Sequence, residues 1–249
     1  LKKGGNAVDA AIAMALVLPL CEPQSTGFFG DVFALIKPSG SNSIIGLNGS
    51  GKSPANLTSS SIRSKGHVCM PNADVCSITL PGAIAAFDSL HTKFGKLDLS
   101  DLCKPAIFYA ENGVVVSPRV AFDWSYSSST LKGVARNYYL NHGKPLGVGE
   151  VFRAPGQVKV LKEFVKKGAE GFYQGEVAED LIESLNKLGG VHTFTDLGDV
   201  NVEYVEPMIA DLGDFELIEM PPNGQGVTAI LMKKILDQFD LKNLNPFSA

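Results

Sequence analysis

A chain of 249 residues, 45% hydrophobic and 19% charged, has the length and composition to bury a core, which excludes a disordered tail or a repeat array. Its net charge of −4 leaves no basic footprint, so nucleic acid is excluded as a natural partner. Four cysteines, Cys21, Cys69, Cys76 and Cys103, show no C-x-x-C and no histidine at zinc-finger spacing, so four reduced, partly buried thiols and no metal site are expected.

The first element is a helix. Lys2 and Lys3 precede an apolar run from Ala10 to Leu20 that could pass for a signal peptide. The chain starts with Leu, Asp9 abuts the run, and "PLCEP" lacks small residues before a cleavage point. The run is also too short to span a membrane. It reads as a buried helix in a chain whose true beginning is missing, with Asn6 as N-cap, Asp9 near the positive end and Pro19 as the stop.

"VFALIKPSGSNSIIGLN" then reads as a β-hairpin around a Pro/Gly/Ser turn. At its exit stands "GLNGSGKS", residues 46–53, which fits the phosphate-loop pattern G-x-x-x-x-G-K-[ST] at every required position. A phosphate loop needs a helix behind it, whose N-terminus holds the anion. Here Pro54 follows directly, then a Ser/Thr run with no apolar stripe at helical spacing. No apolar strand ending in a magnesium-binding Asp is visible either. A nucleotide cofactor is therefore not expected, nor any other.

"GAIAAFDSLHTKFG" and "DLSDLCKPAIFYAENG" predict two helices closed by Gly95 and Gly113, with Lys104-Pro105 bending or restarting the second. "QVKVLKEFVKKG" and "GEVAEDLIESLNKLGG" predict two more, stopped by Gly168 and Gly189-Gly190. "FELIEM" reads as a strand and "GVTAILMKKILDQFDL" as a helix behind "PPNGQG". No linker divides this sequence, so residues 1–249 are expected to form a single α+β unit.

Catalytic patterns are scarce. His67, His91, His142 and His192 are scattered, none in a nucleophile frame, and His142 and His192 read as surface or satisfied polar residues. The serine-hydrolase elbow fails because Asn48 stands where its first Gly belongs. Trp124, Tyr138 and Tyr139 read as core or interface aromatics. "EPQSTGFFGDVFAL" and "PPNGQG" could bring backbone close to a ligand or could be tight turn packing.

At these stretches the sequence resembles the γ-glutamyltranspeptidase family. "GGNAVDAAIAMALVLPLCEPQSTGFFGDVFAL" is similar to the family's opening block of G-G-N-A-V-D-A-A, then E-P-x-S-[ST]-G, then a Gly-rich turn entering a strand. "ITLPGAIAAFDSLHTKFGKL", "KPAIFYAENGVVVSP", "GAEGFYQGEVAEDLIESLNKLGGVHTFTDL" and "EPMIADLGDFELIEMPPNGQG" follow in the family's order.

The resemblance implies an N-terminal-nucleophile (Ntn) hydrolase with a four-layer αββα sandwich, made as a precursor that cuts itself into large and small subunits. A Thr at the new small-subunit terminus would attack the γ-glutamyl carbonyl, its own α-amino group acting as base. The acyl-enzyme then passes its acyl group to water or an amine. The resemblance places that Thr downstream of "DLKNLNPFSA", so no catalytic residue is expected here and the chain would be most of a large subunit. Its implied partners are its own small subunit and a γ-glutamyl or other amide substrate, with a homodimer of heterodimers as the assembly. Family members occur exported and in the cytoplasm, and the cytoplasm is the expectation taken.

Typical transpeptidases carry D-x-R-E-x-A-P after the second strand, where the Arg grips the glutamyl α-carboxylate. The matching positions here are Asn48, Ser50, Gly51 and Ser53-Pro54, so Ser50 replaces that Arg, and Lys52 stands two places on. This resembles the N-G-S-G-[RK]-[AS]-P form of a transpeptidase-like branch. The turn also departs, with Phe29 where Gly is usual and Asp31 after Gly30. The resemblance thus implies substrate-binding roles for Asn48, Ser50, Lys52, Gly30 and Asp31. It leaves room for an acylase acting on a cephalosporin-type or other amide, or for a non-catalytic relative.

Overall fold

A computed structural model of the chain describes residues 1–245 and 247. In chain order the elements begin with α1 (Ala7–Cys21), β1 (Val32–Ile36), β2 (Ile45–Gly49), α2 (Ser59–Ser64), α3 (Ala83–Phe94) and α4 (Leu99–Asn112). They continue with β3 (Val114–Val115), α5 (Pro118–Ser127), α6 (Ala135–Tyr139), β4 (Val151–Phe152), α7 (Pro155–Lys167) and α8 (Glu170–Tyr173). The last are α9 (Gly175–Lys187), α10 (Phe194–Gly198), β5 (Glu203–Val205), β6 (Met208–Asp211), β7 (Glu216–Glu219) and α11 (Gly226–Leu236).

Two compact units emerge, one of residues 1–31 and 50–201, the other of residues 32–49 and 202–249, of which 246, 248 and 249 lie outside the described residues. The first is mainly helical. Its chain begins with a capping box at α1, in which the Asn6 side chain accepts the Asp9 N–H (3.0 Å) and Asp9 Oδ2 accepts the Asn6 N–H (2.8 Å). Helix α1 packs on α4, α4 on α7, α7 on α8 and α8 on α9. The expected stops hold at Gly95, Gly113 and Gly168, the last two with φ of +99° and +62°, which an L side chain adopts only under strain.

One core cluster joins Leu20, Ala110, Val116, Val120, Trp124, Leu146, Phe152 and Val158. Trp124 meets Phe152 edge-on at 5.0 Å, and Tyr139 stacks on Phe152 at 5.8 Å. Trp124 and Tyr139 are therefore core residues, whereas Tyr138 is 65% exposed.

The second unit holds a three-stranded antiparallel sheet in the order β1-β2-β5. The predicted hairpin is in register from Val32↔Gly49 to Ile36↔Ile45, and Asn48 faces Phe33 on one side and Glu203 on the other. β6 and β7 form a second hairpin, and α11 packs on both.

Four expectations are corrected. Pro19 does not stop α1, which runs on to Cys21. In the last turn its missing N–H forfeits one bond, and the Glu22 N–H still reaches the Leu18 carbonyl at 2.8 Å. Nor does Pro105 restart a helix, since α4 is continuous through it. The Ser/Thr run after Pro54 does contain a helix, α2, closed by a Thr58–Ser61 capping box, but it buries no residue and so carries no apolar stripe. Finally, α1 is buried along one face only, through Ile12, Leu16 and Leu20, while Met14 is 67% exposed.

Candidate functional site

Within the first unit, the "STGFFGD" turn and the "SGKS" loop are built onto each other. The Gly30 carbonyl accepts the Gly82 and Ala83 N–H groups at 3.1 and 3.0 Å. It thereby caps α3, whose own N-cap, Gly82, has no side chain to do so. One residue on, Asp31 Oδ1 accepts the Gly51 N–H at 2.8 Å. Phe29 lies 5.2 Å from the Phe172 ring.

The other side of the loop rests on residues 78–82. The Leu80 N–H donates to the Lys52 carbonyl at 2.9 Å. Gly51 is seated so tightly that a β-carbon would lie 1.5 Å from the Leu80 carbonyl oxygen. Leu80 is itself flanked by pinned carbonyls: His192 Nε2 donates to Ile78 O at 2.9 Å, and the Tyr173 hydroxyl donates to Pro81 O at 2.6 Å. Behind the loop, the Ala55 N–H donates to Asp196 Oδ1 at 2.9 Å. Burial alone would raise the Asp196 carboxyl, but the N–H groups of Ala55 and Thr193 and the Thr193 hydroxyl outweigh it and hold it below the usual carboxylate range.

The loop therefore has a fixed backbone and one loose charged end. Lys52 is exposed, and among the described residues its ammonium has no hydrogen-bonding or ion-pair partner. Ser50 is half-buried at the loop's entry. Gly30, Asp31, Ser50 and Lys52 are thus brought together in one unit. Asn48 lies on β2 in the other, where its Nδ2 donates to Asn223 Oδ1 at 3.3 Å. That bond gives "PPNGQG" its place beside Asn48, the second of the two stretches whose sequence left ligand approach and turn packing open.

This backbone does not suit a phosphate loop. The Gly51 N–H, which would have to face phosphate, is already given to a carboxylate. The nearest following helix starts at Ser59, six residues beyond Ser53. Among the described residues no group of three His, Cys, Asp or Glu side chains could hold a metal ion, and no helix is long and apolar enough to cross a membrane.

Sequence reasoning placed neither His192 nor Tyr173 at this loop. His192 is no surface residue: it is 2% exposed, and its Nδ1 has no hydrogen-bond partner among the described residues. A local signal existed in the capping box Thr193-x-x-Asp196 directly behind it, which marks a fixed backbone. His142, by contrast, sits exposed at a tight turn, with φ of +49° between the bridged Asn141 and Lys144. All four cysteines are free; Cys76 and Cys103 are buried, and burial pushes the Cys103 thiol up to about 12.

With helices and small antiparallel sheets in this arrangement, the chain has the fold of the Ntn hydrolases. It matches a solved γ-glutamyltranspeptidase from Helicobacter pylori with a TM-score of 0.92 and 28% identity, over 100% of this chain and 73% of that one. A cephalosporin acylase from Bacillus halodurans matches with a TM-score of 0.90 and 36% identity, over 96% of this chain and 46% of that one.

The sequence model of the family described as gamma-glutamyltranspeptidase covers residues 1–249, and the chain belongs to that family. Among curated relatives, the glutathione hydrolase-like YwrD proenzyme of Bacillus subtilis is 30% identical over 98% of this chain and 47% of its own length. The chain spans about half the length of the curated relatives it matches, 47% and 42% for two of them.

Proposed function

We propose that the protein to which this chain belongs is a γ-glutamyltransferase and glutathione hydrolase-like amidohydrolase. Residues 1–249 act as one unit, most of the large subunit of a self-cleaving precursor, and the nucleophile is a Thr at the start of the small subunit. Its hydroxyl attacks the amide carbonyl, and the acyl-enzyme is then released to water or to an amine. Membership of the family along the whole chain supports this reading, as do the names of relatives that are glutathione hydrolase proenzymes.

The observation that carries the chain's own part is Lys52, an ammonium with no partner among the described residues, on a loop whose backbone is tied at Asp31 and Leu80. A cation so placed pairs with a carboxylate of the donor. Ser50 supplies a hydrogen bond beside it, Asn48 on β2 is taken as a further substrate-binding residue, and the Gly30–Asp31 turn braces the loop through the Gly51 N–H. Lys offers a point charge where the family's usual Arg offers a planar fork, so the donor carboxylate is held by charge more than by bidentate geometry.

Lys52→Ala is expected to raise KM for an anionic donor roughly 10- to 100-fold, the loss of ~1.5–3 kcal/mol typical for a hydrogen bond to a charged group. The KM for a neutral amide should not move. Steady-state kinetics with the two substrates checks this, and an unchanged KM for the anionic donor would place its carboxylate elsewhere. The assembly is taken as a homodimer of heterodimers in the cytoplasm.

Two observations favour a second reading, an acylase of the same fold acting on a cephalosporin-type amide. Ser50 stands where the carboxylate-gripping Arg is usual, and a solved relative at 36% identity is a cephalosporin acylase. Parallel assays of glutathione and acyl-amide substrates separate the two by their kcat/KM ratio.

A further inference from the structure

We propose that Asp31 is a positioning residue whose carboxylate fixes the Lys52 loop through the Gly51 N–H and does not itself touch substrate. The inference rests on the reading of Lys52 as the donor's carboxylate partner.

Three observations place Asp31 in this role. Its Oδ1 takes the Gly51 N–H at 2.8 Å, across a sequence separation of 20 residues. Asp31 directly precedes β1 and Gly51 follows β2 by two residues, so the bond joins the two chain segments that flank the hairpin in sequence. On its far side the loop is held by the Leu80 N–H on the Lys52 carbonyl and by the seat of Gly51 against Leu80. The Gly51–Lys52 segment is thus held at both ends, by the Gly51 N–H on Asp31 and by the Lys52 carbonyl on the Leu80 N–H.

Held in this way, the Lys52 stem starts from a fixed point, and only its side-chain torsions remain to be ordered when an anion arrives. Without the Asp31 bond the loop loses its tie at the Gly51 N–H and must be ordered further at the moment of binding, which weakens affinity without touching the bond-breaking step. A carboxylate is also the wrong group to meet a donor carboxylate directly, because like charges repel. What it supplies is an acceptor oxygen, and an amide oxygen can do the same.

The test compares Asp31→Ala with Asp31→Asn in the complete protein. Two readouts are used: hydrogen exchange of the Gly51 amide by mass spectrometry, and kcat and KM for an anionic donor. Asp31→Ala should speed Gly51 exchange and raise donor KM, each about 10-fold, with kcat little changed, as expected for one lost charge-assisted hydrogen bond. Asp31→Asn should keep both within about threefold of the parent protein, because its Oδ1 still accepts the N–H.

If Asn proves as damaging to KM as Ala, Asp31 is a direct ligand and the proposal falls. Unchanged Gly51 exchange in the Ala variant overturns it equally. The exchange arm needs no turnover, so an inactive parent protein with a protected Gly51 would count against the proposed activity while leaving the clamp decided.

Discussion

Gly51→Ala is expected to be the most damaging single-methyl change at the candidate site. The added carbon would fall 1.5 Å from the Leu80 carbonyl oxygen and 2.7 Å from its carbon, and these are backbone atoms, which cannot rotate aside as a side chain does. Moving Leu80 would disturb its N–H bond to Lys52 and strain the neighbours pinned by His192 and Tyr173. Overpacking of this kind costs about 3 kcal/mol or more. At roughly 2–4 °C per kcal/mol for a folded unit of this size, the melting temperature should fall by about 6–12 °C. Donor KM should rise with it, because Lys52 is the next residue.

The control is Gly198→Ala in α10, where an added carbon meets nothing within 4 Å. That variant should melt within about 2 °C of the parent, as substitutions away from packed features do. A Gly51→Ala protein with the parent's melting temperature and KM would show that the loop is not seated on Leu80.

The second large effect lies far from the loop, at Asp9. This side chain is 1% exposed. Its two oxygens accept the N–H groups of Asn6 (2.8 Å), Lys96 (3.0 and 3.2 Å) and Leu97 (3.4 Å). One carboxylate thus closes the N-terminus of α1 and ties it to the connection between α3 and α4. In Asp9→Asn an NH₂ group replaces an acceptor oxygen and faces backbone donors. Leaving such buried N–H groups without a partner costs ~3 kcal/mol or more in sum, again about 6–12 °C in melting temperature.

Acid should expose the same tie. Burial by itself would raise the Asp9 carboxyl, but the N–H groups of Asn6, Lys96 and Leu97 outweigh it and hold it below its ordinary value. A carboxyl depressed on folding gives stability that is fully present above the unfolded value, about 3.9, and is lost as pH falls through the lower folded one. Urea midpoints measured between pH 7 and pH 3 should therefore drop below about pH 4 in the parent and drop less steeply in Asp9→Asn. Asp196, depressed for the same kind of reason, leaves a residual slope in that variant.

Which features could be read from residues alone follows from how local their causes are. The α1 cap needs only Asn6 and Asp9 three residues apart, and the hairpin needs only two apolar runs around a Pro/Gly/Ser turn. The glycine stops of α3, α4 and α7 are equally local. By contrast, α2 was hidden because an exposed helix closed by Thr58 and Ser61 needs no apolar stripe. Prolines at 19 and 105 misled because surrounding bonds and packing outweigh one missing N–H. The core of Trp124, Tyr139 and Phe152 depends on the two-residue ladder of β3 and β4, too short to carry an alternation.

The candidate site divides in the same way. Its residue types, a Lys between Gly and Ser after a strand, suit a phosphate as well as a carboxylate, and periodicity cannot tell the two apart. The family blocks pointed to the carboxylate, and the tertiary contacts supply the physical reason why a phosphate does not fit, the Gly51 N–H being already taken by Asp31. No local rule links His192 to Ile78 across 114 positions, so the bracing of the loop became visible only in the folded chain.

The most direct measurement of the proposed function is expression of the complete gene, followed by a denaturing gel and an assay for release of a γ-glutamyl chromogen. A self-cleaving amidohydrolase of this family should give two fragments, with a Thr at the start of the smaller one, and should release the chromogen. A single uncut chain without activity would contradict it.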